Sequence, residues 1–302
     1  MKFRKIIAGM ISMAVIASMA GCGSKKEDNS SRQGDGIGGH MTFTVGFDAE
    51  FPPYGYQDDN GEYVGFDLAL AQEVCDRNNW ELIKQPIDWD SKDMELESGT
   101  IDCIWNGFTI NGREDDYTWT TPYIDNSQVV VVRTDSGIDK LEDLKDKVVV
   151  VQSDSSALHA FEGDDAEESN KQLAAAFAEL QQVGDYNSAF LNLDSGAADA
   201  ICLDYGVAVY EVKNRGDEFK ILDENVSTER YGVGFLKGNT AIRDLVQETL
   251  DEMYNDGTLF KIADEWADKG IEKSSICFDP ADELDLAAAK SEVPETDTVT
   301  AE

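Results

Sequence analysis

Apolar and polar positions change period several times along this chain, and the changes come in a repeating order. Thr42-Phe43-Thr44-Val45-Gly46-Phe47 alternates with period two and reads as a strand. After a rigid Pro52-Pro53 loop and a turn at Asp58-Asp59-Asn60-Gly61, the period shifts to that of a helix. Leu68, Ala71, Val74 and Cys75 share one face, with Asp67 suited to the N-cap. Trp80 to Ile87 reads as a second strand, Trp89 to Ser98 as a helix stopped by Gly99, and Ile101 to Trp105 as a buried strand. That order predicts parallel strands joined by helical crossovers.

Ser127 to Arg133 is a β-branched strand, and Leu141 to Leu144 a short amphipathic turn. The order then recurs. A strand at Val148 to Val151 is followed by helices over Ala157 to Glu162 and Lys171 to Leu180. A strand at Gln181 to Val183, a helix from Tyr186 to Asp194 stopped by Gly196, and a strand over Ala200 to Leu203 ending at Asp204 complete it. Tyr231 to Leu236 predicts one more strand, and Thr240 to Asn255 and Thr258 to Lys269 two closing helices. Glu162 to Lys171 reads as an acidic surface insertion. The expected class is α/β with two units, and a ligand cleft between them beyond the strands' carboxyl ends.

The ends follow different rules. Lys2, Arg4 and Lys5 precede a mostly apolar Ile6 to Ala20, too short to span a bilayer, which runs into Met19-Ala20-Gly21-Cys22. This resembles a bacterial lipobox and implies a signal peptide over residues 1–21, cleaved before a lipid-bearing (palmitate-type) Cys22. An ordinary secretory signal with an incidental cysteine is the alternative, and both predict export. Residues 22–40 read as a flexible tether and 281–302 as an acidic, disordered tail.

Charge narrows the partners. The chain carries 61 acidic against 25 basic residues, a formal net charge of −36. Such a field argues against nucleic acid or an anionic membrane surface, while saying little about a small ligand. Cys75, Cys103, Cys202 and Cys277 match no zinc spacing, and only His40 and His159 could join them, so no metal or cofactor is expected. Cys103 and Cys202 lie in apolar runs and read as buried thiols, although export permits a pair such as Cys75–Cys103.

The most informative stretch is Ile101 to Arg113. An apolar strand breaks at Asn106-Gly107 into a loop with Thr109, Asn111 and Gly112, and ends on an arginine whose donor fork fits a carboxylate. Alone it reads first as a strand, a turn and a solvated arginine.

Three segments together carry a resemblance: Gly65-Phe66-Asp67-Leu68-Ala69-Leu70-Ala71-Gln72-Glu73-Val74, Trp89-Asp90 through Asp102, and Asn106 to Arg113 with Thr121-Pro122-Tyr123. The chain resembles the bacterial extracellular solute-binding proteins of family 3, the polar amino-acid receptors of ABC importers, over about residues 41–270. The resemblance implies a type II periplasmic-binding-protein fold of two lobes, each a mainly parallel sheet flanked by helices, with a two-strand hinge. Lobe 1 would span 41–129 plus 232–280 and lobe 2 130–231, with crossings at Gln128 to Arg133 and Arg230 to Leu236. It implies a monomeric, lipid-anchored receptor outside the cytoplasmic membrane that delivers a free amino acid to permease and ATPase subunits.

By matching position, Arg113 would hold the ligand carboxylate with Thr109 and the backbone of Asn106 and Gly107. Ser156 would add donors from a helix start. Asp204 would hold the ammonium, Phe51 and Trp89 would wall the side chain, and Asp48 would meet the side chain or ammonium. Plainer readings stand beside these: Asp204 as a helix cap, Phe51 and Trp89 as core, Asp48 as a turn residue. The loop departs from the common pattern, with four positions rather than five from Thr109 to Arg113. Either Gly112 permits a tighter turn or the ligand sits shifted.

Two other functions compete. An enzyme on this fold, of dehydratase or cell-wall lytic type, needs a placed acid or base, and Glu50 is the cleft-side carboxylate available. A sensory module presenting its ligand to a membrane receptor has the same sequence signature as a transport receptor.

Overall fold

A computed structural model describes residues 41–280. The leader, Cys22, the tether with His40 and the acidic tail lie outside the described residues. Two separate main sheets account for the two expected α/β units. In the first, Thr42–Phe47 pairs in parallel with Glu81–Pro86 on one side and Cys103–Ile104 on the other. Gly234–Leu236 and Tyr117–Trp119 extend it in antiparallel fashion. In the second, Val148–Gln152 pairs in parallel with Glu179–Val183 and Ala200–Asp204. The ten-residue strand Ile124–Arg133 then runs antiparallel to Ala200–Asp204, Phe219–Ile221 and Ser227–Tyr231.

The buried sides of Phe66–Asn78 and Thr240–Asn255 pack on the first sheet, and Thr258–Trp266 packs against these two helices, with Leu70, Val74, Leu250 and Leu259 in the shared core. The second lobe carries Tyr186–Ser195 on one face and Ser156–Glu162 with Phe161 on the other. Gly196 ends the helix before it in the left-handed conformation that favours glycine.

Four local expectations change. Asp67 is not an N-cap: Gly65 occupies that position, and Asp67 turns inward, fully buried. The expected strand Tyr231 to Leu236 splits between the sheets, with Tyr231 ending one strand and Gly234 starting another. The paired ribbon is Ile124 to Gln128 with Ser227 to Tyr231, earlier in both strands than the crossings implied by the resemblance. The helix expected at Lys171 to Leu180 runs instead over Glu168–Ala175, because Glu179 and Leu180 are taken by pairing with Val148 and Val149. Within the expected acidic insertion, Asn170 is buried and donates to the Val226 carbonyl at 2.9 Å.

The four described cysteines are free thiols, three of them buried. No helix among the described residues is long and apolar enough to cross a membrane.

Candidate functional site

The Asn106 loop leaves the short strand Cys103–Ile104 at the carboxyl end of the first sheet. Its shape is set from behind. The Asp67 carboxylate accepts the Gly107 N–H and the Tyr123 hydroxyl, each at 2.6 Å. Burial lifts the Asp67 carboxyl to about 7, even though these two donors favour its charged form. Gly107 needs its positive φ of 58°, and a Cβ there would meet the Phe51 ring at 2.8 Å. At the end of the loop, Gly112 has a φ of 77° and the Arg113 N–H returns to the Ile110 carbonyl at 2.8 Å. The short spacing before Arg113 is thus accommodated by a tight glycine turn.

Across from this loop, Ser155 caps the helix Ser156–Glu162, its hydroxyl accepting from Leu158 N–H at 3.2 Å. Arg113 reaches over to this element. Its Nη1 donates to Ser156 Oγ at 3.2 Å and its Nη2 to the Asp154 carbonyl at 3.1 Å. The guanidinium also lies 5.4 Å from the Phe108 ring centre. Trp89 Nε1 donates to the same Asp154 carbonyl at 3.3 Å, and the buried Lys92 pairs with the Asp154 carboxylate.

Between the lobes lies a cavity with ≈ 280 Å³ of empty space. It is lined by Phe51, Trp89, Asn106, Gly107, Thr109, Arg113, Ser156 and Asp204, together with Gln152 and Ser155. Eight of the nine ligand-binding residues expected from the sequence therefore meet around one space. Asp48 is the exception. Its Oδ1 accepts the Glu50 N–H at 2.8 Å and its Oδ2 accepts Gln152 Nε2 at 2.6 Å, so it serves a turn and bridges the lobes. Burial raises its carboxyl to about 6. The Asn106 Oδ1 is likewise occupied, accepting the Asp48 N–H at 2.8 Å, whereas its buried Nδ2 has no partner among the described residues.

Asp204 stands at the N-cap of Tyr205–Arg215 but makes no side-chain cap. Its Oδ1 instead accepts Asn126 Nδ2 and Gln128 Nε2, both at 2.9 Å, and the Tyr231 hydroxyl at 2.5 Å. Burial raises its carboxyl despite these donors. Phe51 packs against Tyr54 and Tyr186, with ring centres 5.6 and 5.8 Å apart. Sequence reasoning missed Gln152 and the group behind Asp204. Strand alternation held a signal for Glu229, which shares a face with Tyr231.

The residues 43–269 match the family model described as bacterial extracellular solute-binding proteins, family 3. This chain belongs to that family. Among its relatives is an L-cystine-binding protein of Escherichia coli (strain K12), 28% identical over 273 residues that cover 89% of this chain and 97% of the relative. A substrate-binding protein of an ABC uptake transporter from Streptococcus pneumoniae, solved with bound histidine, superposes with a TM-score of 0.71. It is 31% identical, and the match covers 76% of this chain and 94% of that one. An ancestral arginine-binding protein bound to arginine is 35% identical, with a TM-score of 0.67 and coverage of 75% and 98%. The two-lobed fold is common to these solved structures and this family member.

Proposed function

We infer that this protein is a receptor that captures a free amino acid between its lobes and delivers it to an ABC importer. One observation carries the reading: an arginine and a carboxylate, Arg113 and Asp204, line the same cavity. A zwitterion taken out of water needs a partner for each charge, and a charge left buried without one costs about 3–5 kcal/mol. Arg113, with Thr109 and Ser156, receives the carboxylate, and Asp204 receives the ammonium. Phe51 and Trp89 flank the side chain with apolar rings. Bridging Arg113 and Ser156 on opposite lobes gives the ligand a stake in closure about the 124–128 and 227–231 ribbon.

The relatives' named ligands (cystine, histidine, arginine) fit an α-amino-acid head group as the common recognised part. The lipobox-like Met19-Ala20-Gly21-Cys22 supports export and a lipid on Cys22 that holds the protein at the membrane, and the family supports permease and ATPase partners beside it. Binding without turnover is supported by the placing of Glu50, which lies outside the cavity and hydrogen-bonds Asn187.

Thermal-shift and calorimetric titration against the twenty common amino acids, cystine and ornithine test the reading. Micromolar or tighter binding of at least one is expected; a response to none of them overturns it.

A further inference from the structure

Behind Asp204 lies a second carboxylate, that of Glu229, on the strand Ser227–Tyr231. The two are 4% and 6% exposed. They are held by the same donors: Asn126 Nδ2 lies 2.9 Å from Asp204 Oδ1 and 2.7 Å from Glu229 Oε1, and Gln128 Nε2 lies 2.9 and 2.8 Å from the same atoms. Thr109, on the loop that carries Arg113, also hydrogen-bonds Glu229. Every one of these partners is neutral. The titratable and charged groups around the pair are Tyr54, Tyr186 and Tyr231, the Cys202 thiol, Arg113 across the cavity, and His159, Asp165 and Glu167 in the second cavity that Glu229 lines. No ion pair to either carboxylate exists among the described residues.

Two neighbouring buried carboxylates with no cation between them do not both ionise near neutral pH, so the pair retains a proton. An arriving ammonium changes that balance, because it supplies the missing positive charge at Asp204. A route outward is present. Glu229 also lines a second, more open cavity with ≈ 520 Å³ of empty space, whose wall includes Ser156, His159 and Asp165.

We propose that Glu229 is a positioning residue for the ammonium seat, and that the Asp204–Glu229 pair shares one proton before binding and releases it to solvent when an amino-acid ammonium enters. The balance is simple: a singly charged, protonated pair and a zwitterion become a doubly charged pair holding the zwitterion, plus one proton in water. The second cavity passes that proton, and the amide groups of Asn126 and Gln128 stay in place. The proposal rests on the zwitterion reading of the main cleft.

Burial, and then the charge of Asp204, raise the Glu229 carboxyl to about 8. Below that pH the unliganded pair carries its proton, so release on binding makes affinity rise with pH. Kd is expected to fall close to tenfold per unit over about pH 6–7.5 and to level off above about 8.

The test uses the amino acid of the panel above that binds most tightly. Titration calorimetry at pH 7.0 in phosphate and in Tris, whose ionisation heats differ, counts the protons exchanged. Release of close to one proton is expected from the native protein, and none from Glu229→Gln, whose affinity also becomes insensitive to pH over this range. Binding to the native protein with no buffer dependence overturns the proposal and leaves the cleft reading standing, whether or not the variant folds. Proton release persisting in Glu229→Gln also overturns it, since a single buried carboxylate (Asp204 alone, Asp48 or Asp67) would then be the source rather than the pair. If no amino acid binds, both readings fall.

Discussion

The carboxylate of Asp67 accepts the backbone N–H of Gly107 at 2.6 Å, across forty positions of sequence and with both residues buried. The first helix thereby holds the loop on which Asn106, Thr109 and Arg113 are placed. Asp67→Ala leaves two buried donors, Gly107 N–H and Tyr123 hydroxyl, without their acceptor. A loss of about 2–4 kcal/mol in stability is expected, on the scale of one to two unsatisfied buried groups. Urea denaturation measures it, and a midpoint within error of the native protein would show that the loop is held by other contacts.

Arg113 is the cation that lines the cavity opposite Asp204. Arg113→Ala should weaken amino-acid binding by at least about 100-fold, on the order of 3 kcal/mol. The first sheet forms without it, so the circular dichroism spectrum and Tm should stay close to native. Near-normal affinity in this variant would mean that the ligand carboxylate is held elsewhere.

Lys92 is 1% exposed and pairs across the lobes with Asp154, its Nζ lying 5.3 Å from the Trp89 ring centre. Lys92→Met keeps the apolar stem and removes the charge. The unliganded protein is then expected to open, raising its radius of gyration in small-angle scattering. Apparent affinity should weaken by about 3–10-fold, because the closed form is less populated. Unchanged scattering and affinity would show that the Lys92–Asp154 pair does not bias closure.

Gly112 combines a φ of 77° with a crowded flank, where a Cβ would lie 2.7 Å from His159 Cε1. Gly112→Ala should cost about 1–2 kcal/mol in stability and displace Arg113 enough to weaken binding. Thermal denaturation and titration read the two effects separately. A variant with native Tm and native Kd would show that the turn tolerates a side chain.

Much of the molecule follows from short-range rules in the chain. The alternating run at Thr42–Phe47, the glycine stops at Gly99 and Gly196, and the apolar strand ending at Asp204 each follow from periodicity or capping within a few residues. The residues around the cavity were also legible, because motif spacing places Asn106, Thr109 and Arg113 on one loop and Ser156 at one helix start.

Tertiary structure decided what local rules cannot express. An aspartate immediately before a helical run satisfies the N-cap rule equally well whether it caps or turns inward, and a donor forty positions away settled it for Asp67. Lys171 to Leu180 suits a helix, yet the strand at Val148–Gln152 drew its last residues into a sheet. Asp48 carries the residue type of a ligand contact but spends its oxygens on Glu50 and Gln152. The pairing of Asp204 with Glu229 arises only when two strands meet through Asn126 and Gln128. Periodicity and capping act over a few residues; the partner that claims each buried polar group is chosen by the whole fold, since desolvation penalises any group left unclaimed.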